Sequence, residues 1–116
     1  MDIYHVWFNL KPGVRDVELC DRVNGYLDHL QNGGRIERFR ITRRKLGFGP
    51  PSLGEFHVTI ETRDLAQLDE AFLHVAHRGG EVEGLHAAVN QHVTDFAAAL
   101  YRDFPDAVRA RGQEKF

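Results

Sequence analysis

Two histidines stand in strand-like stretches of the sequence and could bind a metal ion, a proton or a ligand. The stretch IYHVWFNL carries His5, Trp7 and Asn9 on one side, and EFHVTIET carries His57 at a matching place. A solvated strand face normally carries Lys, Glu, Thr or Ser, because these side chains are readily hydrated. A histidine, a tryptophan and an asparagine side by side therefore indicate a lined pocket.

Two arginines could add positive charge to this pocket. Arg38 and Arg40 alternate with apolar residues in the stretch RIERFRITRRK, so both lie on one side of a predicted strand. Their guanidinium groups could bind a carboxylate or a phosphate. Pairing with Glu55 or Glu61, in the later stretch EFHVTIET, is the stronger expectation.

A third histidine, His86, could act as a general base on an acidic C–H bond or a phenol. A plain hydrogen bond to a backbone carbonyl is the alternative for its ring. With His5 and His57 it could supply the three protein ligands of a catalytic zinc ion. No HxH or HxxxH pair anchors such a set, so we predict no metal. The two strand histidines are expected to hydrogen-bond to each other or to line a cavity.

Size and composition predict one globular domain over residues 1–104, followed by a polar tail over 105–116. The 116 residues are 42% hydrophobic and 28% charged, with a net charge of −2, which gives no basic field to hold nucleic acid. No apolar run approaches the length of a membrane span. The single cysteine, Cys20, fits a reducing compartment, and no secretory leader is recognisable, so we predict a cytoplasmic protein.

Apolar residues at helical spacing predict two helices. The first is capped by Asp16 and ends at the Gly-Gly pair of positions 33–34, and the second starts at Asp64 and ends at the pair of positions 79–80. The residues predicted to face inward are Cys20, Val23, Leu27 and Leu30 in the first helix, and Leu65, Leu68, Phe72 and Val75 in the second.

The segment that follows permits two interpretations. VEGLHAAVNQ predicts a helical turn or short helix, and the three consecutive alanines at 97–99 favour a longer one. Thr94, Phe96 and Leu100 also fit an alternating strand. We predict a strand at 94–101, because without it the first strand of the chain would be left as an unpaired edge.

The predicted order βαββαβ is the ferredoxin-like split arrangement, an α+β fold with an antiparallel sheet and both helices on one face. Its first and third strands are neighbours, so His5 and His57 share the face that the helices leave open. Water, RNA or a second sheet could cover that face. RNA is the weakest candidate, because Glu55 and His57 stand where an RNA-recognition motif carries stacking aromatics.

Four of these features together resemble a known family. The histidine of IYHVWFNLKPG, Tyr26 in the first helix, the FHV of the third strand and His86 are similar to the stress-responsive dimeric α+β barrel (Dabb) family, over most of residues 3–102. The resemblance implies a homodimer in which two ferredoxin-like sheets pack face to face around a cavity. In the plant polyketide cyclases of that family, a histidine and a tyrosine act as acid and base without a cofactor.

The resemblance assigns the catalytic role to His86. The tyrosine of the family's catalytic pair is missing from the second helix, where the nearest aromatic residue is Phe72. We therefore expect either a cofactor-free acid–base enzyme on an aromatic or polyketide-like compound, or a non-catalytic binding or structural dimer. A third class on the same barrel, the heme-degrading and quinol-oxidising monooxygenases, resembles the chain only in Trp7 and Asn9. The residues expected to line the cavity are His5, Trp7, Asn9, Tyr26, Arg38, Arg40, His57 and Thr59.

Overall fold

The computed structural model describes residues 1–76 and 86–105 and contains four strands and two long helices in that part of the chain. Residues 86–90 add a short helical segment ahead of the last strand. In chain order, the elements are β1 (Asp2–Leu10), α1 (Asp16–Asn32), β2 (Arg38–Arg43), β3 (Phe56–Thr62), α2 (Leu65–Ala76) and β4 (Val93–Arg102).

The four strands form one antiparallel sheet in the order β2-β3-β1-β4. This is the strand order of the split βαββαβ arrangement, and it confirms the predicted ferredoxin-like α+β fold. Strand β1 lies between β3 and β4, so backbone hydrogen bonds hold it from both sides.

The predicted strand at 94–101 is confirmed as the main part of β4. It pairs with β1 from Asp2 opposite Arg102 to Leu10 opposite Val93. The register shifts between Trp7 and Asn9 of β1, and near that point Asp95 has a positive φ of 56°. The alanines prefer a helix by only a fraction of a kcal/mol per residue, whereas the strand saturates an edge of β1 that would otherwise be exposed.

The core lies between the sheet and the helices. Phe8 of β1 and Phe56 and Val58 of β3 pack against the buried side of α1. Alternation along each strand places these apolar side chains on one face and the polar ones on the other. The buried residues of α1 are Leu19, Val23, Leu27 and Leu30.

The helix interiors differ from the prediction at a few positions. Cys20 is only partly buried, because the inward stripe of α1 runs through Leu19. In α2, Leu65 is 58% exposed, while Leu68 and Ala71 are buried. Asp16 is the first helical residue, and its carboxylate accepts a hydrogen bond from Val17 N rather than capping the helix from outside.

Three predicted features lie wholly or partly outside the described residues. These are the glycine stop at 79–80, the start of the helix predicted within VEGLHAAVNQ, and the polar tail beyond residue 105. Within the described ranges, no helix is both long and apolar enough to cross a membrane.

Gly54 provides a test of how tightly β1 is held. A Cβ at this position would lie 2.4 Å from the backbone C and O of Phe8, and β1 cannot retreat because it is paired on both sides. We expect Gly54→Ala to lower the free energy of unfolding by about 2–3 kcal/mol.

Gly25 is the matched control, because it lies in α1 and a Cβ added there would meet nothing within 4 Å. Gly25→Ala should raise the free energy of unfolding by about 0.5–1 kcal/mol. Urea denaturation of both variants measures the two effects. Equal stabilities for the two variants would contradict the close packing at Gly54.

Candidate functional site

The face of the sheet opposite the helices, called here the open face, carries three rows of side chains. Each row crosses all four strands, because the registers of the three strand pairs coincide. In the order β2, β3, β1, β4, the rows are Thr42, His57, Trp7 and Ala97; Arg40, Thr59, His5 and Ala99; and Arg38, Glu61, Ile3 and Tyr101.

At the centre of the open face, three flat rings lie nearly parallel. The rings of Trp7 and His57 have centroids 4.6 Å apart and an interplanar angle of 4°, and those of His5 and Trp7 are 5.6 Å apart at 14°. Nδ1 of His5 and Nε2 of His57 are joined by a 2.9 Å hydrogen bond. Tyr101 meets His5 edge to face, with centroids 4.8 Å apart. Of the two alternatives left open by the sequence, a hydrogen bond between the strand histidines or a place in the lining of a cavity, the chain forms the hydrogen bond, between adjacent strands of one sheet.

Both of these histidines resist protonation. Burial lowers the pKa of His5, and it also lowers the pKa of His57, with a further contribution from the charge of His5. Because one ring nitrogen of the pair must donate and the other accept, the hydrogen bond is compatible with two neutral imidazoles. The pair is therefore suited to an uncharged environment such as an interface between two sheets.

Asn9 uses its side-chain amide within the chain. Its Oδ1 accepts a hydrogen bond from Glu55 N at 2.8 Å, and its Nδ2 donates to Asp95 Oδ2 at 3.1 Å. These bonds tie the register shift of β4 to the start of β3. Asn9 lies on the open face as predicted, but it acts there as a structural bridge.

The two arginines of the open face, Arg38 and Arg40, differ in whether they form an ion pair. Arg38 forms an ion pair with Glu61 at 2.5 Å, which is the pairing that the sequence favoured. Arg40 is exposed and has no ion pair with any residue in the described ranges. It lies directly opposite Thr59, which in turn lies opposite His5. Arg40 is therefore the available cation of this face.

A second candidate site lies on the other side of the sheet. A cavity of about 260 Å³ opens between the helices and the sheet. Among the described residues, its polar lining consists of Tyr4, Tyr26, His86 and Asn90, and every other lining residue is apolar. The rings of Tyr26 and His86 are in contact, with centroids 5.7 Å apart at 51°.

The structure thus corrects the expectation that all predicted cavity residues share one pocket. Tyr26 and His86 lie in the cavity on the helix side, whereas His5 and His57 lie on the open face. The separation follows from strand alternation, because Tyr4 and Val6 on either side of His5 line the helix-side cavity. Between them, the two sites hold the predicted residues.

Three further cavity residues were not predicted from the sequence. Tyr4 belongs to the apolar face of β1 and resembles any other core aromatic residue in the sequence. Phe72 packs edge to face on Tyr4, with ring centroids 5.2 Å apart, and so closes one side of the cavity. Asn90 stands four residues after His86, on the same face of the helical segment, and this spacing is the one signal that could have indicated it.

The two tyrosines of the cavity remain protonated at neutral pH. Burial raises the pKa of Tyr26 to about 12 and also raises the pKa of Tyr4. A neutral phenol donates a hydrogen bond, so Tyr26 can stabilise a developing negative charge on a ligand oxygen. His86 beside it can accept a proton when its ring is neutral. The pair has the parts of an acid–base site.

In the described part of the chain, no group of three or more His, Cys, Asp or Glu side chains is placed to hold a metal ion. Of the three histidines considered as zinc ligands, His5 and His57 bond to each other on the open face, and His86 lies on the other side of the sheet.

Comparison with solved structures identifies the fold of the chain. At3g17210 from Arabidopsis thaliana is similar, with a TM-score of 0.70 and 11% identity over 95% of this chain and 100% of that one. A dimeric protein of unknown function and ferredoxin-like fold from Bacteroides fragilis has a TM-score of 0.56 and 14% identity, over 88% and 95%. HapK from Hahella chejuensis has a TM-score of 0.55 and 16% identity, over 95% and 99%. These similarities establish the ferredoxin-like α+β fold.

The chain belongs to a family of unknown function, DUF6614, whose model matches residues 1–116. The sequence matches no curated protein.

Alkaline titration tests the environment of Tyr26. A phenol ordinarily ionises near ~10, so the unfolded chain ionises before the folded one. The stability that Tyr26 contributes is complete below that pH and is lost as the pH rises toward about 12. We expect Tyr26→Phe to flatten the fall in unfolding free energy across this interval, as measured by urea denaturation at a series of pH values. An unchanged slope would contradict the buried phenol.

Proposed function

We propose that the protein is a homodimeric, cofactor-free acid–base enzyme that acts on a small, largely apolar aromatic or polyketide-like compound. The observation that carries this proposal is the contact between Tyr26 and His86 at the wall of an otherwise apolar cavity. The helix-side cavity is then the active site and the open face is the dimer interface. The single cysteine, Cys20, fits a cytoplasmic enzyme.

The size and lining of the cavity limit the substrate. Pockets for drug-sized ligands hold roughly 300–1,000 Å³, and an engineered apolar cavity of roughly 150 Å³ binds benzene. A volume of about 260 Å³ therefore suits one or two fused rings. The apolar lining favours a compound with few polar groups, because each polar group buried without a partner costs free energy.

Tyr26 and His86 divide the chemistry between them. The neutral imidazole of His86 takes a proton from a carbon next to a carbonyl group, and the electrons of that C–H bond form a C=C bond. The carbonyl π electrons move to oxygen, where the hydroxyl of Tyr26 donates a hydrogen bond to the enolate. Return of the proton, to the same carbon or another, completes an exchange, an isomerisation or the first step of a cyclisation.

Tyr26 replaces the tyrosine that the second helix lacks. Phe72, the nearest aromatic residue of the second helix, instead contributes to the apolar wall of the cavity and packs on Tyr4. A phenol on α1 that contacts His86 makes the missing residue unnecessary for this chemistry. This contact favours the enzyme over a purely structural dimer.

The dimer is supported by the composition of the open face. Trp7, Ile3 and Tyr101 lie there with the neutral His5–His57 pair, and large apolar surfaces of this kind are usually covered. A second copy of the same sheet, packed face to face, would cover these residues. The similar protein from Bacteroides fragilis is described as dimeric.

Replacing Trp7 with Glu tests the dimer. The substitution places a charge in the proposed interface without a partner, so we expect the dimer to dissociate at micromolar concentration. Light scattering measures the mass. Leu65→Glu is the matched control, since Leu65 is an exposed apolar residue of α2 on the other side of the molecule, and it should leave the mass unchanged. A monomeric wild-type protein would refute this half of the proposal.

Hydrogen–deuterium exchange of 2-tetralone tests the chemistry. This uncharged bicyclic ketone has acidic C–H bonds beside its carbonyl group, and proton NMR in D₂O follows their exchange. We expect the protein to accelerate exchange, His86→Gln to slow it by about 10²–10⁴-fold, and Tyr26→Phe by about 10²–10³-fold.

His74→Gln is the matched control for the histidine substitution. His74 lies on α2 beside His29 and does not line the cavity, so this variant should exchange the ketone at the wild-type rate. Exchange that is equally fast in wild type and His86→Gln would refute the catalytic role. Tight binding of the ketone without any accelerated exchange would identify a binding protein instead.

A further inference from the structure

Arg22 makes a set of contacts that the acid–base pair alone does not explain. It lies one turn before Tyr26 on α1 and donates from Nη1 to Nε2 of His92 and, at 3.5 Å, to the backbone carbonyl of Ala88. Its Nη2 donates to Glu18 Oε1 at 3.0 Å. One guanidinium group therefore joins α1 to the chain that carries His86.

The segment joined in this way is short, and Val89 packs it against the hydrophobic core. Residues 86–90 form a little more than one helical turn, closed by hydrogen bonds from Gln91 N to Ala87 O and from His92 N to Val89 O. At its end, Lys11 N donates to His92 O at 3.0 Å. Isolated turns of this length are unstable, so the contacts of Arg22 matter for where His86 lies.

We propose that Arg22 is a positioning residue whose hydrogen bonds to His92 and Ala88, together called the clasp, set the contact between His86 and Tyr26. The inference rests on the proposed function only for the catalytic role of the contact between His86 and Tyr26. Arg22 and Tyr26 are four residues apart on the same face of α1. Loss of the clasp releases one partner of the pair while the other stays fixed in the helix.

The clasp also depends on the protonation of His92. A guanidinium group has donors and no acceptor, so Nε2 of His92 must accept and the imidazole must be neutral. Protonation converts that nitrogen into a donor and places two cations in contact. Among the described residues, the charged groups that line the same surface pocket as His92 are Arg15, Glu18 and Arg22, and Lys11 N donates to the His92 carbonyl. The clasp therefore requires the neutral imidazole of His92.

The test measures the contact between Tyr26 and His86 directly in the ligand-free, full-length protein. Nuclear Overhauser effects between the two rings are recorded by NMR at about pH 8, above the ordinary pKa of an imidazole. In the wild type, we expect these effects. Arg22→Gln should lose them.

His92→Gln tests the acceptor of the clasp. The side-chain carbonyl of glutamine can accept the Arg22 hydrogen bond at the reach of Nε2, so this variant should keep the ring contact. Arg63→Gln is the matched control, since Arg63 is also an arginine paired with a glutamate, Glu37, away from the clasp. It should behave as the wild type does.

Binding of 2-tetralone supplies a second measurement and distinguishes the two proposals. We expect Arg22→Gln to weaken binding by about tenfold at pH 8, in line with the loss of a charged hydrogen bond. Ring contacts that persist in Arg22→Gln, or that disappear in His92→Gln, would overturn the clasp. Ring contacts that follow the expected pattern without ketone binding or exchange would leave the clasp established and refute the acid–base function.

Discussion

Strand β1 is the constraint on which the rest of the molecule depends. It is hydrogen-bonded to β3 on one side and to β4 on the other, so its backbone cannot rotate or slip without breaking both ladders. A shift of one residue would exchange its two faces. The fixed register therefore decides which side chains enter the helix-side cavity and which form the open face.

Because the register of β1 is fixed, the two faces of this strand carry side chains of different chemistry. Tyr4, Val6 and Phe8 provide the floor of the cavity, whereas His5 and Trp7 between them build the ring cluster on the open face. Two neutral histidines joined by a hydrogen bond bury little charge, which suits an interface. The Tyr26 phenol beside the His86 imidazole suits proton transfer, because Tyr4 and Asn90 are the other polar residues among the described cavity lining and few polar groups compete for the ligand.

The contacts of the sheet also show that polar side chains able to bind a ligand can instead form bonds within the chain. Asn9 and Arg38 both have the chemistry of ligand-binding residues, yet each is engaged within the chain. Asn9 bridges the start of β3 and the register shift of β4, and Arg38 pairs with Glu61 across the neighbouring strand. Arg40, by contrast, forms no ion pair in the described part of the chain and is the available cation of the open face.

The sequence by itself determined the order of the elements, the ferredoxin-like fold and the residues on each strand face. These follow from alternation and helical spacing, which are local properties of the chain. The assignment of β4 already needed a tertiary argument, because its alanines favour a helix and only pairing with β1 outweighs that preference. Tertiary structure alone decided that Tyr26 meets His86 and that Arg22 reaches His92. Those residues are 60 to 70 positions apart, and no local pattern records how the chain returns to bring them together.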